Sequence, residues 1–196
     1  MSVVVNVCGS NFSIMVSDNR LVRYDAFGNM EIVSEDYRKI HRVNENILIG
    51  FTGDAVQCQN VYDEIIKRNT QQLTLEQVKG ITKNTLYKYK NDINELGVRI
   101  ILSGKQLNGK FITYVIDSSN DFDDILYDPK DNMCLIYALP KSIDNTHNYG
   151  EIIDSAINDN KFSSSNELVK IIGKAIYDIS KLNPGVNNII TYEVMS

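Results

Sequence analysis

Ser2, Asp18, Lys39 and Gly53 are the residues of this 196-residue chain whose types and spacing suit acyl-transfer chemistry. Removal of Met1 would leave Ser2 at the chain terminus, where its own α-amine, with an ordinary pKa near ~8, can take the hydroxyl proton at neutral pH. A lysine near the hydroxyl oxygen lowers the pKa of that amine and favours ionisation of the hydroxyl, and Lys39 in Arg38-Lys-Ile-His-Arg-Val43 suits that position. An aspartate beside the lysine keeps it charged and in place, a role open to Asp18. Gly53 ends Gly50-Phe-Thr-Gly53 where a helix begins, and a glycine N–H at such a turn can hold an oxyanion. In this reading Lys39 contributes charge rather than packing, so its removal is expected to spare the fold.

The other reactive side chains read as structural. Cys8 becomes terminal only if most of the first strand is lost, so a buried core thiol is the expectation. His41 shares a strand face with Lys39 and could border the site, but a hydrogen-bonded spectator is the expectation, and His147 falls in a loop. The histidines and cysteines are scattered, and Asp121-Phe-Asp-Asp124 lacks the regular ligand spacing of a calcium loop, so no metal is expected. Neither Gly50/Gly53 nor Gly104/Gly109 continues into Gly-Lys-Ser/Thr, and no cofactor is implied.

The elements that must position these residues follow from periodicity and turn chemistry. Val3 to Cys8 and Phe12 to Ser17 flank Gly9-Ser10-Asn11 as a hairpin, and two further hairpin-like pairs occupy 21–34 and 38–51. Asp54 caps a helix ending near Asn69, and the capping box Thr74-Leu-Glu-Gln77 opens a second that runs to about Leu96. Strands are predicted at 98–103, 110–117, 124–127 and 133–139, helices at 150–158 and 166–182, and a closing strand at 188–194. Clustered rather than alternating elements exclude a doubly wound parallel sheet and predict antiparallel sheets with helices packed outside, in one domain spanning 1–196.

A net charge of -5 argues against a nucleic-acid partner. The three cysteines suggest free thiols in a reducing compartment. With no basic start, no long apolar run and hence no membrane partner expected, the cytosol is the predicted location.

With these residues in view, the chain resembles the proteasome β-subunit family and its bacterial relative, the peptidase of the two-component heat-shock protease. Ser2 falls on the family's terminal threonine, Asp18 in Val-Ser-Asp-Asn-Arg20 on its aspartate, Lys39 on its lysine and Gly53 on its oxyanion glycine. The resemblance implies an N-terminal-nucleophile hydrolase fold, an α+β four-layer αββα sandwich, acting on peptide or small-amide substrates and assembling into homo-oligomeric rings. Three departures bear on it. The stretch from Asp18 to Lys39 is longer than the family's, which the Phe27-Gly28-Asn29 turn can absorb. Leu135-Ile-Tyr-Ala-Leu-Pro140 stands where the family has Gly-Ser-Gly, and Asp178 and Ser180 are out of register with the family's acidic and hydroxyl pair. A non-catalytic assembly or scaffold subunit of the same fold therefore stands as the alternative.

Overall fold

The computed structural model describes residues 2–25, 27–130, 132–139 and 147–196. Its β strands are β1 (Val4–Cys8), β2 (Ser13–Asp18), β3 (Leu21–Tyr24), β4 (Met30–Ser34), β5 (Ile40–Asn44), β6 (Ile47–Gly53), β7 (Val98–Lys105), β8 (Phe111–Asp117), β9 (Asp124–Tyr127), β10 (Cys134–Ala138) and β11 (Ile190–Met195). Among the described residues four helices accompany them: α1 (Ala55–Ile66) and α2 (Leu75–Lys88) after β6, then α3 (Tyr149–Asn158) and α4 (Ser165–Leu182) before β11. The order is the one that the sequence predicts. All strand pairings are antiparallel, in a four-stranded sheet β10-β1-β2-β11, a five-stranded sheet β5-β6-β7-β8-β9 and a separate ribbon β3-β4. The fold is α+β with helices segregated from antiparallel sheets.

Inner strands are buried on both faces, so they read as continuous apolar runs instead of alternating ones. Val3, just before β1, and Val5 and Val7 on it pack with Ile153 of α3 and Ile172, Ile176 and Ile179 of α4. Val4 and Cys8, on the opposite face, join Met15, Leu48, Ile101 and Phe111 in a cluster drawn from both large sheets. The other face of the five-stranded sheet, with Ile49, Ile100 and Leu102, packs with Val61 and Ile65 of α1 and with Val78 and Leu86 of α2. A buried polar chain crosses between the sheets: Asn6 Nδ2 donates to Ser13 Oγ at 2.9 Å, Ser13 and Ser103 hydroxyls meet at 2.8 Å, and Thr113 Oγ1 donates to Asn6 Oδ1 at 2.9 Å. Each of these groups has a partner, so the chain fixes the relative register of the sheets without stranded polar atoms. Gly50 allows the close approach; a Cβ there would lie 2.6 Å from the Met15 sulfur and 2.9 Å from Val4.

The helix starts are those that the capping residues dictate. Asp54 Oδ1 accepts the N–H groups of Val56 and Gln57, and the Thr74–Gln77 capping box is complete. The end of α2 differs from expectation, because the helix stops at Lys88 and a short 3-10 turn (Lys90–Asp92) and a loop follow. That loop must bring Asn94 N to Asp54 Oδ2 at 3.1 Å and Gly97 O to Asp54 N at 2.7 Å, which a helix continuing to Leu96 would forbid. The long stretch from Asp18 to Lys39 forms the ribbon β3-β4, whose turn is tied by Asp25 accepting from Phe27 N and Asn29 N, both at 2.8 Å. Cys8 and Cys58 are buried free thiols as expected, whereas Cys134, opposite Cys8 on the edge strand β10, is only half-buried.

Leu48 is fully buried between the sheets. Leu48→Ala should lower the unfolding free energy by about 2–5 kcal/mol, read as a lower urea midpoint at unchanged slope.

Candidate active site

Asp18 closes β2 with no solvent exposure and holds three groups at once. Its Oδ1 lies 2.7 Å from Lys39 Nζ and accepts Val3 N–H at 2.7 Å, while Oδ2 accepts Arg20 N–H at 3.0 Å. The Val3 nitrogen is the amide of the Ser2–Val3 peptide bond, so the same carboxylate oxygen fixes Lys39 and the chain leaving Ser2. Continuing the β1 alternation back from Val4 puts Ser2 on the inter-sheet side.

Lys39 directly precedes β5 and is among the largest side chains wholly inside the protein, with 2% exposure. Its ammonium pairs with Asp18 Oδ1 at 2.7 Å, and of its three N–H donors those not aimed at Asp18 are available to a neighbouring group. Burial pushes its pKa below the ordinary lysine value, and the Asp18 carboxylate opposes that shift. The expectation that Lys39 serves as charge without packing is therefore corrected: the side chain fills interior space and neutralises a buried carboxylate.

Gly53 ends β6 with φ +97°, a left-handed conformation, and a Cβ on it would meet Gly97 O at 2.2 Å. Both constraints demand glycine. Along β6 the N–H groups alternate sides: Phe51 N donates to Lys39 O at 2.9 Å, and Asp54 N donates to Gly97 O on the opposite side. The Gly53 N–H is thereby directed to the Lys39 side, beyond the last β5–β6 residue pair. Ser2 and Gly53 share a cavity of about 750 Å³ walled by Thr52, the Asn94–Gly97 loop, Ser118 and Leu139. Ser2 and Gly53 thus line one cavity, and the Asp18–Lys39 pair is joined to it through the Ser2–Val3 amide.

The contacts that hold Asp18 and Lys39 in place from outside were not legible in the sequence. Arg20 makes a two-pronged ion pair with Glu35 and donates to Pro184 O at 2.5 Å. Asn187 Oδ1 accepts Asn19 N–H at 3.0 Å and its Nδ2 donates to Glu35 O at 2.8 Å, while Tyr37 N donates to Asn19 O at 2.7 Å. These bonds clamp the loop before β11 onto the segments that carry Asp18 and Lys39. The signal available was the polar pair Asn19-Arg20 following Asp18 and the Pro-Gly-Val-Asn turn. Asp178 and Ser180, out of register in the sequence, lie along α4, bonded to Lys181 and Tyr177 O. Ala138 and Leu139 line the cavity where the resemblance expects Gly-Ser-Gly, and Pro140 lies outside the described residues.

His41 stacks on Tyr62 of α1 with ring centroids 4.1 Å apart and meets Phe51 edge-on. Burial, aided by the Arg38 charge, lowers its pKa to about 4. It packs against a helix and has no part in the Ser2 cluster. Asp121 and Asp124, from the acidic turn, pair with Lys90 and with Lys79 and Lys83. No group of three or more His, Cys, Asp or Glu side chains able to hold a metal occurs among the described residues, and no helix among them is long and apolar enough to cross a membrane.

Two stability measurements check this geometry. Lys39→Met, which leaves Asp18 buried without its cation, should cost about 3–5 kcal/mol by urea unfolding, and adding Asp18→Asn should recover part of that loss. The unfolded chain protonates His41 near pH 6.5 but the fold only near pH 4, so His41 supports stability above 6.5 and that contribution falls as pH drops through this window. His41→Phe should accordingly lose less stability than wild type between pH 7 and pH 4.

Comparison with known proteins adds the family. No curated protein matches the chain. The family model described as proteasome subunit matches residues 2–125, which is more than half of the chain and includes Ser2, Asp18, Lys39 and Gly53. The chain belongs to the proteasome subunit family.

Proposed function

We propose that this proteasome-family subunit is a catalytic N-terminal-nucleophile hydrolase that cleaves peptide bonds through Ser2. The observation that carries the reading is the buried Lys39–Asp18 contact at 2.7 Å, on the carboxylate oxygen that also binds the Ser2–Val3 amide. A buried ion pair adds little net stability over well-packed apolar residues. Its link through Asp18 to the amide next to Ser2, a residue with both a hydroxyl and a potential terminal amine, supports a chemical use.

With Met1 removed, the Ser2 α-amine takes the Oγ proton as Oγ attacks the substrate carbonyl carbon. The Gly53 N–H receives the charge on the carbonyl oxygen. The protonated amine passes its proton to the leaving nitrogen, the C–N bond breaks, and an ester remains on Ser2. Water attacks that ester with the same amine as base, which releases the acid and restores Ser2. Lys39, held by Asp18, keeps positive charge beside the amine and lowers its pKa, so that it acts as a base near neutral pH.

The proposal extends to architecture. The three apolar clusters support a single domain with layer order αββα, in which α1 and α2 cover one sheet and α3 and α4 the other. Assembly into a homo-oligomer follows from the ring-forming family that the chain resembles, and the free thiols suit the cytosol. The second reading, a non-catalytic assembly subunit, draws on Ala138 and Leu139, which give the cavity an apolar wall without a hydroxyl to support the amine.

A serine-reactive acylating probe separates the two. Correctly processed protein, its Met1 loss verified by intact mass, should label slowly at Ser2. Ser2→Ala and the Met1-retaining form should not label. Equal labelling of wild type and Ser2→Ala, or no labelling and no turnover of peptides or small amides by processed wild type, would establish the assembly reading instead.

A further inference from the structure

Cys8 ends β1 and Cys134 opens β10, and the antiparallel register sets the two directly opposite each other. Both side chains turn to the space between the large sheets. Cys8 belongs to the buried cluster with Val4, Met15 and Phe111, and Cys134 packs against that cluster from its margin. Burial raises the Cys8 pKa, the Thr113 and Ser103 hydroxyls oppose that shift, and the neighbouring Cys134 adds to it. Cys58 lies apart from both, on the other face of the five-stranded sheet with Val61 and Ile65 of α1.

The backbone fixes the kind of cross-strand pair. Gly9 N donates to Phe12 O at 2.9 Å and Asp18 N to Val3 O at 3.2 Å, so the odd-numbered residues of this segment bond to β2 and the even-numbered ones, Cys8 among them, bond to β10. Opposite residues of that kind have Cα atoms about 5.5 Å apart, within the roughly 4.4–6.8 Å that a disulfide spans. Their Cβ atoms lie near the wide end of the cross-strand range, about 5.5 Å, whereas a disulfide holds them at about 3.8 Å. Closing the bond therefore needs a small inward shift of one strand end. β10 can supply it, because β10 is an edge strand and Cys134 is its first residue. A bond closed against such a shift is easily reduced again. Access is unequal: Cys8 has no solvent exposure, whereas Cys134 is half-buried, which gives the outer sulfur the attacking role and the inner one the resolving role.

We propose that Cys134 and Cys8 form a reversible redox site that takes a small organic disulfide of the oxidised-glutathione class as its oxidant and fastens β10 to β1. The Cys134 thiolate attacks one sulfur of the small disulfide, whose S–S bond breaks. The first half leaves with the electron pair and takes up the proton that Cys134 lost. Cys8 then attacks Cys134 Sγ, the Cys8–Cys134 bond forms, and the second half departs as a thiol carrying the Cys8 proton. The protein dithiol loses two electrons and two protons, and the small disulfide gains both. Nothing in this step uses the Ser2 chemistry. The tie lies at one end of the strand whose other end, Ala138, walls the Ser2 cavity.

Oxidised glutathione added to the folded wild-type protein, followed by thiol titration, intact mass and non-reducing peptide mapping, tests the proposal. Free thiols should fall from three to one. The mass should drop by about 2 Da with no glutathione retained, and the map should join Cys8 to Cys134. Excess reduced glutathione should restore the dithiol without unfolding. Cys8→Ala should stop at the mixed disulfide, a gain of about 305 Da at Cys134. Cys134→Ala, a change at the half-buried position, should leave Cys8 unmodified, and the wild-type map decides the matter even if the Cys8 variant fails to fold. Glutathione retained on Cys134 of wild type, a Cys134 bridge between two chains, three unchanged thiols, or a bridge reducible only after unfolding would each overturn the proposal.

Discussion

A fully buried carboxylate needs partners for its oxygens, and Asp18 meets that need in a way that fixes the rest of the site. Its Oδ1 joins Lys39 and the Ser2–Val3 amide, and its Oδ2 ties down the backbone at Arg20. Removing any of these contacts strands charge or a backbone donor in the interior, where desolvation is costly. The start of β1, the end of β2 and the segment entering β5 are therefore locked to a common point. An arrangement that contributes little stability by itself becomes a precise positioning device.

The two large sheets supply the rigid frame. Their inner strands bury both faces, the inter-sheet hydroxyl and amide chain pins their register, and Gly50 admits the close contact of Met15 and Val4. Gly53 uses the other property of glycine. Its positive φ and its approach to Gly97 O turn the end of β6 into the cap of α1, and its N–H is left on the Lys39 side of the strand. The loop from Asn94 to Gly97 is held by the same Asp54 that caps α1, so helix capping, strand ending and cavity wall form one connected piece of backbone.

Much of this was readable from residues. Asp54 and the Thr74–Gln77 box announced the helix starts, and the apolar runs of β1, β2 and β6 to β8 announced strands, which the structure buries on both faces. The Lys39–Asp18 pairing was also expected, because a strand lysine and a strand-end aspartate suit each other electrostatically. What sequence could not convey was context that exists only in three dimensions. The stop of α2 at Lys88 depends on bonds from Asn94 and Gly97 to a residue forty positions away. The interior position of Lys39 depends on β5 lying against the end of β2. The clamp from Asn187 to Asn19 and Glu35 links segments more than 150 residues apart, and the local signal, Asn19-Arg20 after Asp18 and the Pro-Gly-Val-Asn turn, does not tell which groups meet.

The central claim is that Ser2 Oγ and Gly53 N–H face one reacting carbonyl, and a crystal structure of the processed protein after acylation tests it most directly. The account predicts continuous electron density from Ser2 Oγ to the acyl carbon, with the carbonyl oxygen about 2.7–3.1 Å from Gly53 N. Density on another residue, or an acyl oxygen turned away from Gly53, would contradict it.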